Sequence, residues 1–358
     1  MKTKSRSSKL KLEPLIPLDL KKCRTVSEIV GGMSHCAFGA RMLGEVCAML
    51  FDWTNRNGKP YVIRDHLDLA NEKLLGVMYQ HGWFQGPYTS LEFIDHCRRA
   101  GFKERKALVL GNYHEGTADE LYRCANEAIF VNQHGFARPG QIQDGFFPNA
   151  VFIDPNLALP IFFAVLKERK GFGKVSVPEL FLRLKQHAGL AHDLVAGGET
   201  LLAMYRDKHC VRFLTLAGAM TIAKMQLLIC DMIDNCLVDH ISSTGALMAH
   251  GLIEGIGDRH YKHNPENDDK LLAARGINRV TDSLEPETNF DHLDDVMDGV
   301  LDGFTGTRDI APSEIHARIG QYLREHHPTC RGVLRSAYDK RVPVCVPAFV
   351  DSEIGNDV

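Results

Sequence analysis

Two clusters of small residues, Ala217-Gly218-Ala219 and Ser243-Thr244-Gly245-Ala246, are small enough to let a phosphate approach the backbone. Each follows a short β-rich run, Val211 to Leu216 and Ile241 to Thr244. After the first, Ile222, Met225, Ile229, Met232, Ile233 and Cys236 repeat at helical spacing. In an open parallel sheet, ligands bind beyond the carboxyl ends of the strands, where helix N-termini present backbone N–H groups and favour phosphate. The two clusters are therefore candidate phosphate-binding turns. Tight packing of a helix on a sheet calls for the same small residues, and without a full GxGxxG the spacing leaves both readings open.

Other groupings are weaker. His260 and His263, or His114 with Glu115, are metal-ligand types, but no helix carries His at i, i+4, and the loop Asp258 to Lys270 reads as solvated. The sequence therefore points to no metal site. GFGK at 171–174 lacks the upstream glycine of a phosphate loop and has Val175 where Ser or Thr belongs. There is no GxSxG, and Ser34-His35-Cys36 is a run of neighbours without the geometry of a triad.

The elements that must position these turns belong to a chain of 358 residues with 44% hydrophobic content, enough for one large domain or two. A formal net charge of −3 argues against nucleic acid as the main partner. Ten cysteines without a CxxC pair, and no secretory leader, read as reduced thiols in a cytoplasm. The longest apolar run, Leu157 to Leu166, is broken by Pro160 and falls short of the roughly 18 residues of a membrane span. Lys2, Lys4, Arg6, Lys9 and Lys11 suit a disordered arm better than a targeting peptide. Patterning predicts a helix over 37–53, a turn at 55–60, strands at 107–113 and 149–155, and helices at 117–131 and 177–189. Another helix is expected from His192, and a helix-rich segment after Lys270.

Four blocks in chain order resemble deoxyhypusine synthase and its bacterial deoxyhypusine synthase-like relatives. They are VRFLTLAGAMTIAKM, DMIDNCLVDHISSTGALMAHGLIEGIG, RGINRVTDSLEPETNFDHLDDVMDGVL and VPVCVPAFVDSEIGNDV. VSEIVGGMSHCAFGARMLGEV is similar to the family's N-terminal helical segment. The resemblance covers 14–52 and 194–358 and leaves the middle unrecognised. It implies an α/β fold, a Rossmann-like parallel sheet flanked by helices, with an unrecognised α/β insertion. The chain then divides into an N-terminal arm and helical segment (1–57), the insertion (58–191) and an NAD-binding core (192–358).

The resemblance further implies hydride transfer from a polyamine to NAD, then aminobutyl transfer through an imine on an active-site lysine. The donor would be spermidine or putrescine. The acceptor would be a lysine of a translation initiation factor or a small amine. A homotetramer with shared active sites goes with it; neither nucleic acid nor membrane is implied. The resemblance places cofactor contacts at Gly218, Ala219, Thr244, Gly245, Ala246 and Asp351, and polyamine contacts at Asn356 and Asp357. Ala249, His250 and Ala219 stand where the family has two glutamates and an asparagine, which favours the synthase-like branch. The family's GGG turn and catalytic-lysine segment correspond to positions past Val358. Lys224 and Lys340 align with neither and read as surface lysines. The resemblance thus implies a core that is incomplete as a lone chain, needing a complementing chain. Beside this stand an inactive paralogue or a split-gene half that binds NAD or an active partner subunit.

Overall fold

The computed structural model describes residues 11–56, 58–101, 105–111, 113–125, 127–132, 150–264, 266–304, 309–356 and 358. The basic arm up to residue 10 lies outside them. By internal contacts the chain forms two compact units, one of Leu18–Leu214 with Asn235–His240, the other of the chain up to Pro17, Thr215–Asp234 and Ile241–Val358.

After a two-residue strand β1 (Glu13–Pro14), the first of these units opens with helices α1 (Val26–Met33) and α2 (Phe38–Asn55). Thr25 and Glu28 form a reciprocal capping box that starts α1. The sequence between α2 and α8 then alternates β2 (Tyr61–Arg64), α3 (Leu69–Gln80), β3 (Gln85–Tyr88), α4 (Ser90–Ala100), β4 (Lys106–Leu110), α5 (Glu115–Cys124), β5 (Glu127–Asn132) and β6 (Ala150–Phe152). It closes with α6 (Pro155–Arg169), α7 (Val177–Leu184) and α8 (Leu190–Arg206). The five strands make one parallel sheet in the order β3-β2-β4-β5-β6, a doubly wound topology. Val62, Leu108, Leu110, Ile129 and Val131 face a core shared with α1, α2 and α6, while Ile63, Val109 and Phe130 face a second core with α4 and α5.

One expectation is corrected here: the pattern read as a single helix over 117–131 is α5 followed by β5. Ala128 to Val131 are buried on both faces, and a central parallel strand is apolar without alternation, so its period cannot be told from that of a buried helix.

Next along the chain come β7 (Phe213–Thr215), whose last residue opens the other unit, a one-turn 3-10 helix (Gly218–Met220), α9 (Gln226–Asp234), β8 (His240–Ser242), which belongs to that unit from Ile241 on, and α10 (Gly245–Ile256). Then come β9 (Tyr261–Lys262), α11 (Asp269–Ala273), the hairpin β10 (Ile277–Val280) and β11 (Ser283–Pro286), α12 (Thr288–Leu301), α13 (Pro312–His326), α14 (Val333–Lys340), β12 (Val344–Cys345) and α15 (Glu353–Asn356). A three-stranded sheet runs β12-β8-β7, with β12 parallel to β8. A four-stranded sheet runs β1-β9-β11-β10. The hairpin β10–β11 turns at Thr281, whose φ of 54° lies in the left-handed region, and the helix-rich reading of this stretch missed it. Both units are thus α/β with parallel strands between helices. Among the described residues no helix is long and apolar enough to cross a membrane. None of the ten cysteines is in a disulfide.

Candidate functional site

Strands β7 and β8 end side by side. The Leu216 N–H donates to Ser242 O at 3.0 Å, and Ser243 Oγ donates to Leu216 O at 2.8 Å. This lacing fixes where the two small-residue turns leave the sheet. A Cβ on Gly218 would strike Thr244 Oγ1 and come within 3.1 Å of the Ala246 methyl. A Cβ on Gly245 would strike the side chain of Ser352. Glycine is therefore needed at both positions for close approach.

The fold brings Gly218, Thr244, Gly245 and Ala246 together and sets the loop after β12 against them. Thr244 is the N-cap of α10, with extended backbone, and its side chain makes no capping hydrogen bond. Leu247 N–H donates to Thr244 O at 3.2 Å, but the cap side chain claims none of the helix's first N–H groups, which leaves those of Gly245 and Ala246 for an anion-binding N-terminus. Ala219 and Thr244 are exposed, as is Asp351, next to the buried Ser352. Ser352 Oγ donates to Phe349 O at 3.0 Å and accepts from Gly355 N–H at 3.2 Å, which holds the loop in its turn. Asn356 closes α15 and is exposed, while Asp357 lies outside the described residues.

The second cluster of this unit was not legible as a site. Lys224, expected at the surface, is fully buried, with a left-handed φ of 68°. Its ammonium pairs with Glu254 of α10 and lies 3.1 Å from His260 Nδ1. Glu254 also takes Gln226 Nε2 at 3.0 Å and His260 Nδ1 at 2.8 Å. His260, placed by sequence in a solvated loop, is fully buried just before β9, because that segment joins the four-stranded sheet. On its far side, His260 Nε2 is 3.1 Å from Glu285 Oε1 of β11, and His250 Nδ1 of α10 is 3.2 Å from Glu285 Oε2. Burial opposes ionisation of Glu285, yet His250 and His260 outweigh it and hold its pKa at about 2. Burial pushes the His260 pKa down, the neighbouring Lys224 adding to it. The signal available in sequence was His250 and Glu254 at i, i+4, one face of one helix. Lys340, by contrast, is exposed in the last turn of α14.

A parallel α/β sheet whose strands end in small-residue turns beside an open helix N-terminus defines an α/β protein of the Rossmann-like class. Its sequence narrows this further, since the deoxyhypusine synthase domain matches residues 179–358, half of the chain. The protein belongs to the deoxyhypusine synthase family. Among similar proteins are a deoxyhypusine synthase-like protein of Chlorobaculum parvum, 29% identical over 52% of this chain and 53% of its own length, and the "Probable deoxyhypusine synthase 1" of Methanosarcina mazei, 31% identical over 48% and 50%. A deoxyhypusine synthase-like protein of Elusimicrobium minutum is 30% identical over 46% of this chain and 44% of its own. The chain spans about half the length of the curated relatives it matches.

Proposed function

We propose that this chain binds NAD at the turns after β7 and β8 and serves a transferase of the deoxyhypusine synthase type, acting on a polyamine such as spermidine or putrescine. The observation that carries the reading is the meeting of Gly218, Thr244, Gly245 and Ala246 at the uncapped N-terminus of α10. Ala219, Thr244 and Ala246 would bring backbone N–H groups and little bulk to a pyrophosphate. Gly245 would act at one remove, by letting the Ser352 loop close down. When bound, NAD would accept hydride from the amine-bearing carbon. Asp351, exposed beside that loop, would set a carboxylate at the cofactor's edge, and Asn356 with Asp357 would face the cationic amine. The aminobutyl acceptor, a protein lysine or a small amine, and assembly as a tetramer or with a complementing chain are carried across from the family as part of the same proposal.

The test is thermal. NAD raises the melting temperature of the purified chain by mass action. Ala219→Asp, an exposed substitution that adds charge without crowding, abolishes that rise while leaving the melting temperature without NAD near the parent's. Equal response in the two proteins overturns the cofactor assignment. Labelled spermidine or putrescine with NAD, scored for labelled protein and polyamine products, tests the transfer. Absence of labelled product from this chain, alone or with a polypeptide carrying the family's glycine-rich turn and lysine, overturns it.

A further inference from the structure

The polar cluster beneath α10 is built in a way that a nucleotide turn does not call for. His250, His260 and Glu285 come from a helix, a loop and a hairpin strand, and their ligand atoms all lie within 4.8 Å of one another. His260 and Glu285 are buried to within 1% of completely. Although nitrogen and oxygen stand only 3.1 and 3.2 Å apart, His250 Nδ1, His260 Nε2 and Glu285 Oε1 make no hydrogen bond of acceptable geometry. Three orphaned polar atoms in one buried spot carry a large desolvation cost unless something joins them.

Short separations with misdirected lone pairs are what the ligands of one ion show, because each lone pair aims at a common centre and not at its neighbour. For bonds of about 2.0–2.1 Å in a tetrahedral site, neighbouring ligand atoms stand roughly 3.3 Å apart; each imidazole nitrogen stands 3.1–3.2 Å from one of the two Glu285 oxygens. The surroundings agree. His260 presents its other nitrogen, Nδ1, to Glu254 at 2.8 Å, the carboxylate–histidine arrangement that orients metal-binding imidazoles. Lys224 and Gln226 hold Glu254 in turn, and Lys224 balances its charge. Binding an ion takes both imidazoles in their neutral form, and Glu285 then supplies the negative charge of the ligand set.

We propose that His250, His260 and Glu285 form a binding site for one divalent transition-metal ion, zinc by the chemistry of its ligands, with Glu254 as the residue that orients His260. Two imidazoles and one carboxylate leave a fourth position for water. The ion ties α10 to the hairpin β10–β11, two elements that the sequence separates. This site is independent of the NAD reading.

The experiment uses the whole chain, purified without a histidine tag and stripped with a chelator, then titrated with Zn2+ or Co2+ alone. One equivalent of zinc retained through gel filtration, and the intense visible absorption of a cobalt ion of low coordination number, are expected. His250→Ala lowers cobalt affinity at least 100-fold, and Glu254→Gln, which leaves the three ligands in place, lowers it 10–100-fold. Glu285→Gln removes binding. If that buried substitution fails to fold by circular dichroism, His250→Ala, at the edge of the cluster, decides the matter. A folded parent chain that takes up no cobalt, or a His250→Ala protein that binds it as tightly as the parent, overturns the proposal and leaves a proton as what joins the cluster.

Discussion

Gly245 lies so close to Ser352 that a single added methyl at Gly245 would overlap both Cβ and Oγ of the serine. This contact seats the loop after β12 on the N-terminus of α10. Ser352 cannot yield freely, since its hydroxyl is bonded to Phe349 O and Gly355 N–H. Gly245→Ala therefore destabilises the protein by about 1–3 kcal/mol, the usual cost of overpacking. Adding Ser352→Gly recovers part of the loss. Urea unfolding of the four proteins of this cycle measures the coupling, and additive losses would show that the two residues do not touch.

Thr244→Asp separates stability from anion binding. An aspartate at the N-cap accepts from the first N–H groups of α10, where the Thr244 side chain makes no hydrogen bond, and gains up to about 1 kcal/mol. The same carboxylate occupies the place proposed for phosphate. The variant should melt higher than the parent and lose its response to NAD. A variant that melts higher and still responds would move the cofactor away from this helix.

His316 supplies a pH dependence. It is buried in α13, with Nδ1 3.4 Å from Val344 O, and burial pushes its pKa down to about 4. The unfolded chain protonates it near 6.5, so between about pH 6.5 and 4 the unfolded state binds more protons. The stability associated with neutral His316 is fully present above pH 6.5 and falls as pH drops, by at most about 1.4 kcal/mol per unit. His316→Leu should flatten this part of the profile. An unchanged slope between pH 4 and 6.5 would assign it to other groups.

Asp154 caps two helices at once. One carboxylate oxygen accepts from Asn156 N–H at the start of α6 and the other from Leu190 N–H at the start of α8, each at 2.9 Å. Gly189, with φ of 63°, brings α8 close enough for this. Asp154→Ala should cost about 2–3 kcal/mol, and Asp154→Asn less, because one acceptor survives. Faster hydrogen exchange in the first turns of both α6 and α8 distinguishes this from loss of a single cap.

Local periodicity made much of this protein legible. The helix over 37–53 forms as α2 (Phe38–Asn55), and strand, small turn and helix recur at β7 and at β8 with α10. Each of these signals lies within a short run of neighbouring residues, and so does each block of the family resemblance over 194–358, two of whose four blocks fall on the two βα units. The helix read over 117–131 failed because four apolar residues in a row look alike in a buried strand and a buried helix.

The amino-acid sequence by itself determined the α/β class, the two small-residue turns and the family, because each is written in neighbouring residues. Only the tertiary structure decided that Ser352 fills the space Gly245 leaves open. It alone showed that Lys224 is buried against His260, 36 residues away, and that His250 and His260 converge on Glu285. A lysine or histidine in a polar stretch reads as solvated because hydration favours exposed charge. Long-range packing reverses that preference when it supplies partners, and partners distant in the chain leave no mark on local spacing.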